Sequence, residues 1–247
     1  MKSAAVKFAA VLVAGLLSGC SSNPPSEHLL VFAAASLRST FTELGDAFAG
    51  SEPGTEVELT TAGSADLLAQ LNQGADADVL ATADTATMGR AAEAGLLAGP
   101  PVPFATNTLT IVVAPGNPQG IKSFRDLADA VLVVCAVQVP CGSALPDLQE
   151  RTGVRLNPVS EESSVADVLN KVTSGQADAG LVYVTDALAA GDAVATVRFP
   201  EASAKVNTYQ IAVLKGSRNS ARAGRFVDLV ANPTATGVLA AAGFGKP

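Results

Sequence analysis

Tryptophan is absent from this sequence, histidine occurs once, and aromatic residues make up only 4% of it. Sites that stack sugar rings or nucleobases need aromatic faces, so the composition argues against carbohydrate and base recognition. His28 is the lone histidine and stands beside a polar, proline-containing stretch. Neither a histidine-based triad nor a histidine zinc site can be built from it. There is no P-loop and no G-x-G-x-x-G following a strand. Charged residues are sparse at 16%, and the balance is acidic, with a formal net charge of −7. A chain of that sign lacks the general electrostatic footprint that nucleic acids require. An enzyme with this inventory would have to use carboxylates or tyrosine as acid and base, and no spacing nominates such a pair. Asp76, Asp78 and Asp84 lie close enough in sequence for a carboxylate metal site, but "GADADVL" reads more simply as a polar turn entering a strand.

The N-terminus carries an address. Lys2 and Lys7 precede an apolar run from Phe8 to Leu17, and "LSGC" ends at Cys20. A positive start, a short apolar core and small residues before the cut describe a secretory signal peptide over 1–19, too short to anchor as a membrane span. Cys20 resembles the acylated cysteine of a bacterial lipobox, which implies lipidation and an exported protein held at the membrane surface. Residues 20–26, including "SSNPPS", then form a polar tether. Removing 1–19 from 247 residues leaves 228, and with two lysines gone the net charge becomes −9. That length is comfortable for two lobes. Of the remaining cysteines, Cys135 and Cys141 are an even pair in an exported chain, which favours a disulfide. Catalytic dithiols use the closer C-x-x-C spacing.

Strand and helix patterns alternate along the rest. "LLVFAAA" (29–35) reads as a buried strand, after which Leu37, Phe41, Leu44 and Phe48 recur at helical spacing. "TEVELTTA", "ADVLATAD", "TLTIVVAP", "AVLVVCAV", "AGLVYVT", "VATVRF" and "TYQIAVLKG" read as further strands separated by helices. Alternation of this kind means mainly parallel sheets with helices on both faces. Such sheets bind ligands at the carboxyl ends of their strands. "AGPPVPFATNT" (98–108) reads as a linker where the chain crosses between lobes.

Hydroxyls recur at predicted helix starts: Ser36, Ser64, Ser143 in "CGSALPDL", and Ser164 with a capping-box partner at Asp167. A helix N-terminus offers unpaired N–H groups and partial positive charge, a ready anion site. Each serine alone reads more simply as an ordinary cap. Four of them in a two-lobed α/β pattern raise the prospect of convergence on one ligand, with small neighbours such as Ala33–Ala35 and Gly63 permitting close approach.

In order, "VFAAASL", "GSADLLAQL", "ADVLATAD", "VPCG", "SVADVL" and "GLVYVTDA" resemble the molybdate-binding proteins of ABC importers, over nearly the whole chain beyond the tether. The resemblance implies a type II periplasmic-binding-protein fold of two α/β lobes: 27–106 with 210–247, and 107–209. A two-strand hinge near Asn107–Thr110 and Asn207–Ile211 would close the lobes over a dehydrated tetrahedral oxyanion. Carried over by position, Ser36 and Ser64 each supply a hydroxyl and an N–H, Cys141 and Val165 supply N–H groups, and Tyr183 supplies its hydroxyl. This sequence departs from the family's usual pattern at Cys141, commonly alanine, and at Gly63 and Ala65, often serine. The implied ligand is molybdate or tungstate, with no cofactor, no catalysis, no nucleic acid and no directly bound metal ion. The implied partners are permease subunits and the membrane through the lipid, the protein itself being a monomer. Sulfate or another tetrahedral oxyanion on the same scaffold is the alternative. Two other classes stand further off: an exported hydrolase, and a surface lipoprotein whose serines are merely caps.

Overall fold

A computed structural model describes residues 27–247. The expected signal peptide, Cys20 and the tether lie outside the described residues. Among the described residues ten strands form two sheets of five. The first sheet has the order β2-β1-β3-β10-β4 and contains β1 (Glu27–Ala34), β2 (Thr55–Ala62), β3 (Val79–Thr82), β4 (Val102–Asn107) and β10 (Asn207–Val213). The second has the order β7-β6-β8-β5-β9 and contains β5 (Leu109–Val113), β6 (Leu132–Cys135), β7 (Ser160–Glu162), β8 (Ala179–Tyr183) and β9 (Ala195–Val197). In each sheet three neighbouring strands run parallel and the other two join antiparallel. Eight α-helices of the described residues pack around them: α1 (Arg38–Ser51), α2 (Ser64–Asn72), α3 (Thr85–Glu93), α4 (Leu145–Thr152), α5 (Val165–Thr173), α6 (Val184–Ala190), α7 (Ser220–Ala231) and α8 (Pro233–Ala241). Among the described residues no helix is long and apolar enough to cross a membrane.

The helical spacing of Leu37, Phe41, Leu44 and Phe48 puts all four inside the first lobe, none more than 3% exposed. Phe41 and Phe48 meet Phe226 of α7 edge-on, with ring centroids 6.1 and 5.3 Å apart. Phe41 also meets Phe104 of β4, so α1 is clamped between a strand and a helix far along the chain. Gly180 plays a comparable part in the second lobe. A Cβ there would come within 2.7 Å of Val168, so only glycine lets α5 lie this close on β8.

Several expectations change. The stretch 98–108 is not simply a linker: its second half is β4, an edge strand held by β10, and proline at position 103 is tolerable on such an edge. One of the segments expected as helix between strands, that between β5 and β6, is a 3-10 segment, Phe124–Asp129, which Ser123 opens with a capping box to Asp126. Ser143 caps nothing; its hydroxyl donates to the Pro140 carbonyl and α4 begins two residues later. β10 joins the first sheet from Asn207, three residues ahead of the expected boundary at 210, pairing at once with Asn107 of β4.

Cys135 and Cys141 are disulfide-bonded, with Cα atoms 5.6 Å apart. The bridge ties the end of β6 to the loop that follows. Closing so short a loop removes roughly 2 kcal/mol of unfolded-state entropy. Mild reduction should therefore lower thermal stability, measured by circular dichroism, more than it alters any ion preference.

Candidate functional site

The carboxyl ends of six parallel strands meet at one place between the sheets. Ala34–Ser36 follow β1, Gly63 and Ser64 follow β2, and Ala83 follows β3. From the other side come Pro140 and Cys141 beyond β6, Ser163–Val165 after β7, and Tyr183 ending β8. Together they line a cavity of about 20 Å³. That is little more than a single water requires, so in this arrangement the cavity suits a compact solute and excludes a sugar or nucleotide. The close approach depends on Gly63, where a Cβ would overlap the Ser163 carbonyl oxygen of the facing lobe.

All five residues expected to hold a ligand line this cavity: Ser36, Ser64, Cys141, Val165 and Tyr183. Neither Ser36 nor Ser64 caps its own helix. Ser36 lies in a short 3-10 turn, Ala35–Leu37, and its hydroxyl pairs with Tyr209 at 2.8 Å. Ser64 is the first residue of α2, is 2% exposed, and accepts the Ala83 N–H at 3.0 Å. Cys141, the second half of the disulfide, lies in the turn beyond β6, and its backbone N–H donates to nothing among the described residues. Val165 opens α5, where first-turn N–H groups lack intrahelical acceptors. Its neighbour Ser164 is an ordinary cap, donating to the Asp167 carboxylate at 2.6 Å and accepting the Asp167 N–H at 3.3 Å. Tyr183 is 1% exposed. Burial, then the nearby Tyr209, Asp186 and Asp84, push its phenol well above the ordinary tyrosine range, so it stays a neutral O–H.

No lysine, arginine, aspartate or glutamate lines the cavity. Its polar surface is hydroxyls and backbone amides, with α2 and α5 presenting their N-termini. Such a surface stabilises negative charge without burying a cation beside it.

Behind the lining lies a buried polar layer that sequence reasoning did not assign to the site: Asn107, Thr185, Asp186, Asn207 and Tyr209, each 9% exposed or less. Asn207 donates to the Ala83 and Pro140 carbonyls and to the Tyr183 hydroxyl, joining both lobes at one amide. Asn107 donates to Thr185 at 2.8 Å and faces the Tyr209 hydroxyl at 3.5 Å. The signal available was an asparagine at each chain crossing, Asn107 closing β4 and Asn207 opening β10. Asp186 accepts the Tyr183 N–H at 3.1 Å. Burial raises its carboxyl to about 7, against that hydrogen bond and one from its own N–H.

The aspartates considered for a metal site are occupied elsewhere. Asp78 accepts from Leu30 N–H, Ser217 and Arg218, Asp76 pairs with Arg218, and Asp84 caps α3 through the Thr87 N–H. Among the described residues no cluster of three metal-ligating side chains forms.

Known proteins resemble this chain along its whole length. The family described as bacterial extracellular solute-binding protein matches residues 29–245. A molybdate-binding protein ModA from Mycobacterium bovis is 53% identical over 250 residues, covering 96% of this chain and 95% of the relative. Among solved structures, the periplasmic molybdate-binding protein of Azotobacter vinelandii superposes with a TM-score of 0.76 at 23% identity, covering 89% of this chain and 99% of that one. The sulfate-binding protein SubI of Mycobacterium tuberculosis superposes with a TM-score of 0.70 at 23% identity, covering 88% and 86%. At that identity the two structures speak for the fold alone. With the family matched over nearly every described residue and half of all positions shared with a full-length relative, this chain belongs to the bacterial extracellular solute-binding proteins.

Proposed function

We propose that this protein captures molybdate, and tungstate with it, between its lobes and delivers the ion to an ABC permease. The observation that carries the reading is the cavity itself, which collects six strand ends and is lined by hydroxyl-bearing and small residues, two of them opening helices, with no charged side chain. Molybdate at neutral pH is a dianion with no proton to give, so a surface of donors satisfies every oxygen. Phosphate keeps a proton and would leave it without an acceptor, at a cost on the order of 1–3 kcal/mol. Tungstate, almost the same size, should bind nearly as well. The ModA relative's name favours molybdate within the oxyanions. The fold alone does not choose the ion, because a sulfate-binding protein shares it; sulfate is therefore the second reading.

Ser36, Ser64 and Tyr183 would donate through hydroxyls, and Cys141 and Val165 through N–H groups. The lobes would move about the points where the chain leaves the first sheet after Asn107 and returns at Asn207, a hinge closure over the ion. A lipid on Cys20 and the tether to residue 26 would hold the monomer at the extracytoplasmic face of the cell membrane, close to its permease.

Calorimetric titration of residues 27–247 with molybdate, tungstate, sulfate and phosphate tests the reading, after unfolding and dialysis to strip carried-over ligand. Tight molybdate and tungstate binding with sulfate at least ~100-fold weaker is the expected result; sulfate equal or tighter would reassign the ion. Ser36→Ala and Tyr183→Phe should each weaken molybdate by about 1–2 kcal/mol or more. Unchanged affinity in both variants would remove the site from this cavity.

A further inference from the structure

We propose that Gly63 is the size gauge of the cavity: its missing side chain sets how far the lobes close, and so which tetrahedral ion both can grip. The inference rests on the oxyanion reading above and deepens it. The two helices that open on the cavity belong to different lobes. α2 starts at Ser64 on the first, directly after Gly63, and α5 starts at Val165 on the second, two residues after Ser163. Each is fixed within its own lobe. Ser64 is tied to the end of β3 by the Ala83 N–H at 3.0 Å, and α2 buries Leu67, Leu68 and Leu71. Ser164 caps α5, which lies on β8 at the Gly180 contact. The distance across the cavity from Ser64 to Val165 is therefore decided by how closely the lobes approach.

Gly63 and Ser163 meet at the point of closest approach, backbone against backbone. A Cβ on Gly63 would lie 2.2 Å from the Ser163 carbonyl oxygen and 3.1 Å from its carbon. The Asp66 carboxylate oxygen at 3.0 Å is the end of a side chain and can turn aside, but the carbonyl cannot. Gly63 has φ −57° and ψ 139°, which any residue adopts, so its own backbone does not call for glycine. The facing lobe does. A contact of 2.2 Å must open to at least 3.0 Å, so an alanine methyl would hold the lobes apart by about 0.8 Å at this point. Hydrogen bonds keep donor–acceptor distances of about 2.7–3.2 Å, and such an opening exceeds that tolerance. A larger ion recovers part of the gap. A smaller one loses its grip on one lobe.

Sulfate, selenate and molybdate isolate this effect, because at neutral pH all three are tetrahedral dianions without a proton, and they increase in size in that order. Gly63→Ala, titrated with each by calorimetry, should lose most affinity for sulfate and least for molybdate. The molybdate-over-sulfate ratio should rise by about tenfold, the worth of one hydrogen bond to a charged group. A folded variant that weakens all three ions by one factor, weakens the larger ones more, or binds as wild type would overturn the inference and leave the oxyanion reading intact. A general loss of closure or stability does not sort ions by size. A variant that fails to fold would overturn it as well, because the backbone obstacle stands in the facing lobe and each lobe is built on its own sheet. A wild-type protein that takes up none of the three ions would overturn the oxyanion reading, and this inference with it.

Discussion

Gly142→Ala should cost ~30-fold or more in oxyanion affinity with little change in the rest of the fold. Gly142 follows the disulfide cysteine Cys141, and a Cβ on it would overlap the carbonyl oxygens of Ala136 and Cys135. Its φ lies outside the left-handed region, so alanine meets no backbone strain there, only the collision. Both obstacles are backbone atoms, one belonging to the strand-end residue that anchors the disulfide. No side-chain rotation relieves them, and the turn must move. The turn carries Cys141, a lining residue whose N–H has no acceptor among the described residues, so on the proposed reading displacing it would weaken a hydrogen bond to a doubly charged ion, worth about 1.5–3 kcal/mol. Titrating the variant with molybdate beside a thermal melt checks this. Affinity within about twofold of wild type would mean the turn yields without carrying Cys141 away, and that its N–H contributes little.

Asp186 should make the protein less stable as pH rises towards neutrality. Burial raises its carboxyl from 3.8 to about 7 in the folded state. Below about 4 both folded and unfolded chains hold the proton and the group is neutral to the balance. Between there and about 7 the folded chain binds a proton that the unfolded chain has lost, so stability falls as pH rises. Once ionised, the residue costs the fold on the order of 4 kcal/mol. Asp186→Asn should abolish that slope, because an amide oxygen still accepts the Tyr183 N–H and carries no charge. Urea unfolding of both proteins at about pH 5 and about pH 8 measures the difference directly. Equal slopes in the two would show that the carboxyl stays ionised throughout. Oxyanion affinity should weaken over the same interval, since ionised Asp186 sets a negative charge behind Tyr183. The lowered carboxyl of Glu162, held down mainly by its hydrogen bond from Lys171, acts in the opposite direction. Its contribution is lost as pH falls through the acid range, outside this window.

Local pattern was enough to identify most of the elements. Leu37, Phe41, Leu44 and Phe48 recur with the period of a helix, and each of them is buried. The strand-to-helix alternation gives two α/β sheets because a parallel strand can be joined to its neighbour only by a crossover. β4 escaped because three prolines and a polar end imitate a linker, and only its pairing with β10, about a hundred residues away, makes it a strand. The half-turns at Ser36 and Ser143 escaped for a similar reason. A serine before a helical pattern reads as a cap wherever it occurs, and whether its oxygen reaches the helix N–H depends on backbone angles that neighbouring residues do not set.

The sequence by itself determined the class of the protein and the residue types around its cavity: small residues at strand ends, neutral donors, no cation, no histidine. Those are properties of order and composition, and they were legible in "VFAAASL", "GSADLL", "VPCG" and "VY". Only the tertiary structure decided that Asn107, Asn207 and Tyr209 stand behind those donors, and that Asp186 is buried enough to hold a proton. The reason is physical. A hydroxyl's direction and a carboxyl's ionisation depend on atoms within a few ångströms, and here those atoms come from the two crossing segments and from opposite lobes, brought together only when the chain has folded.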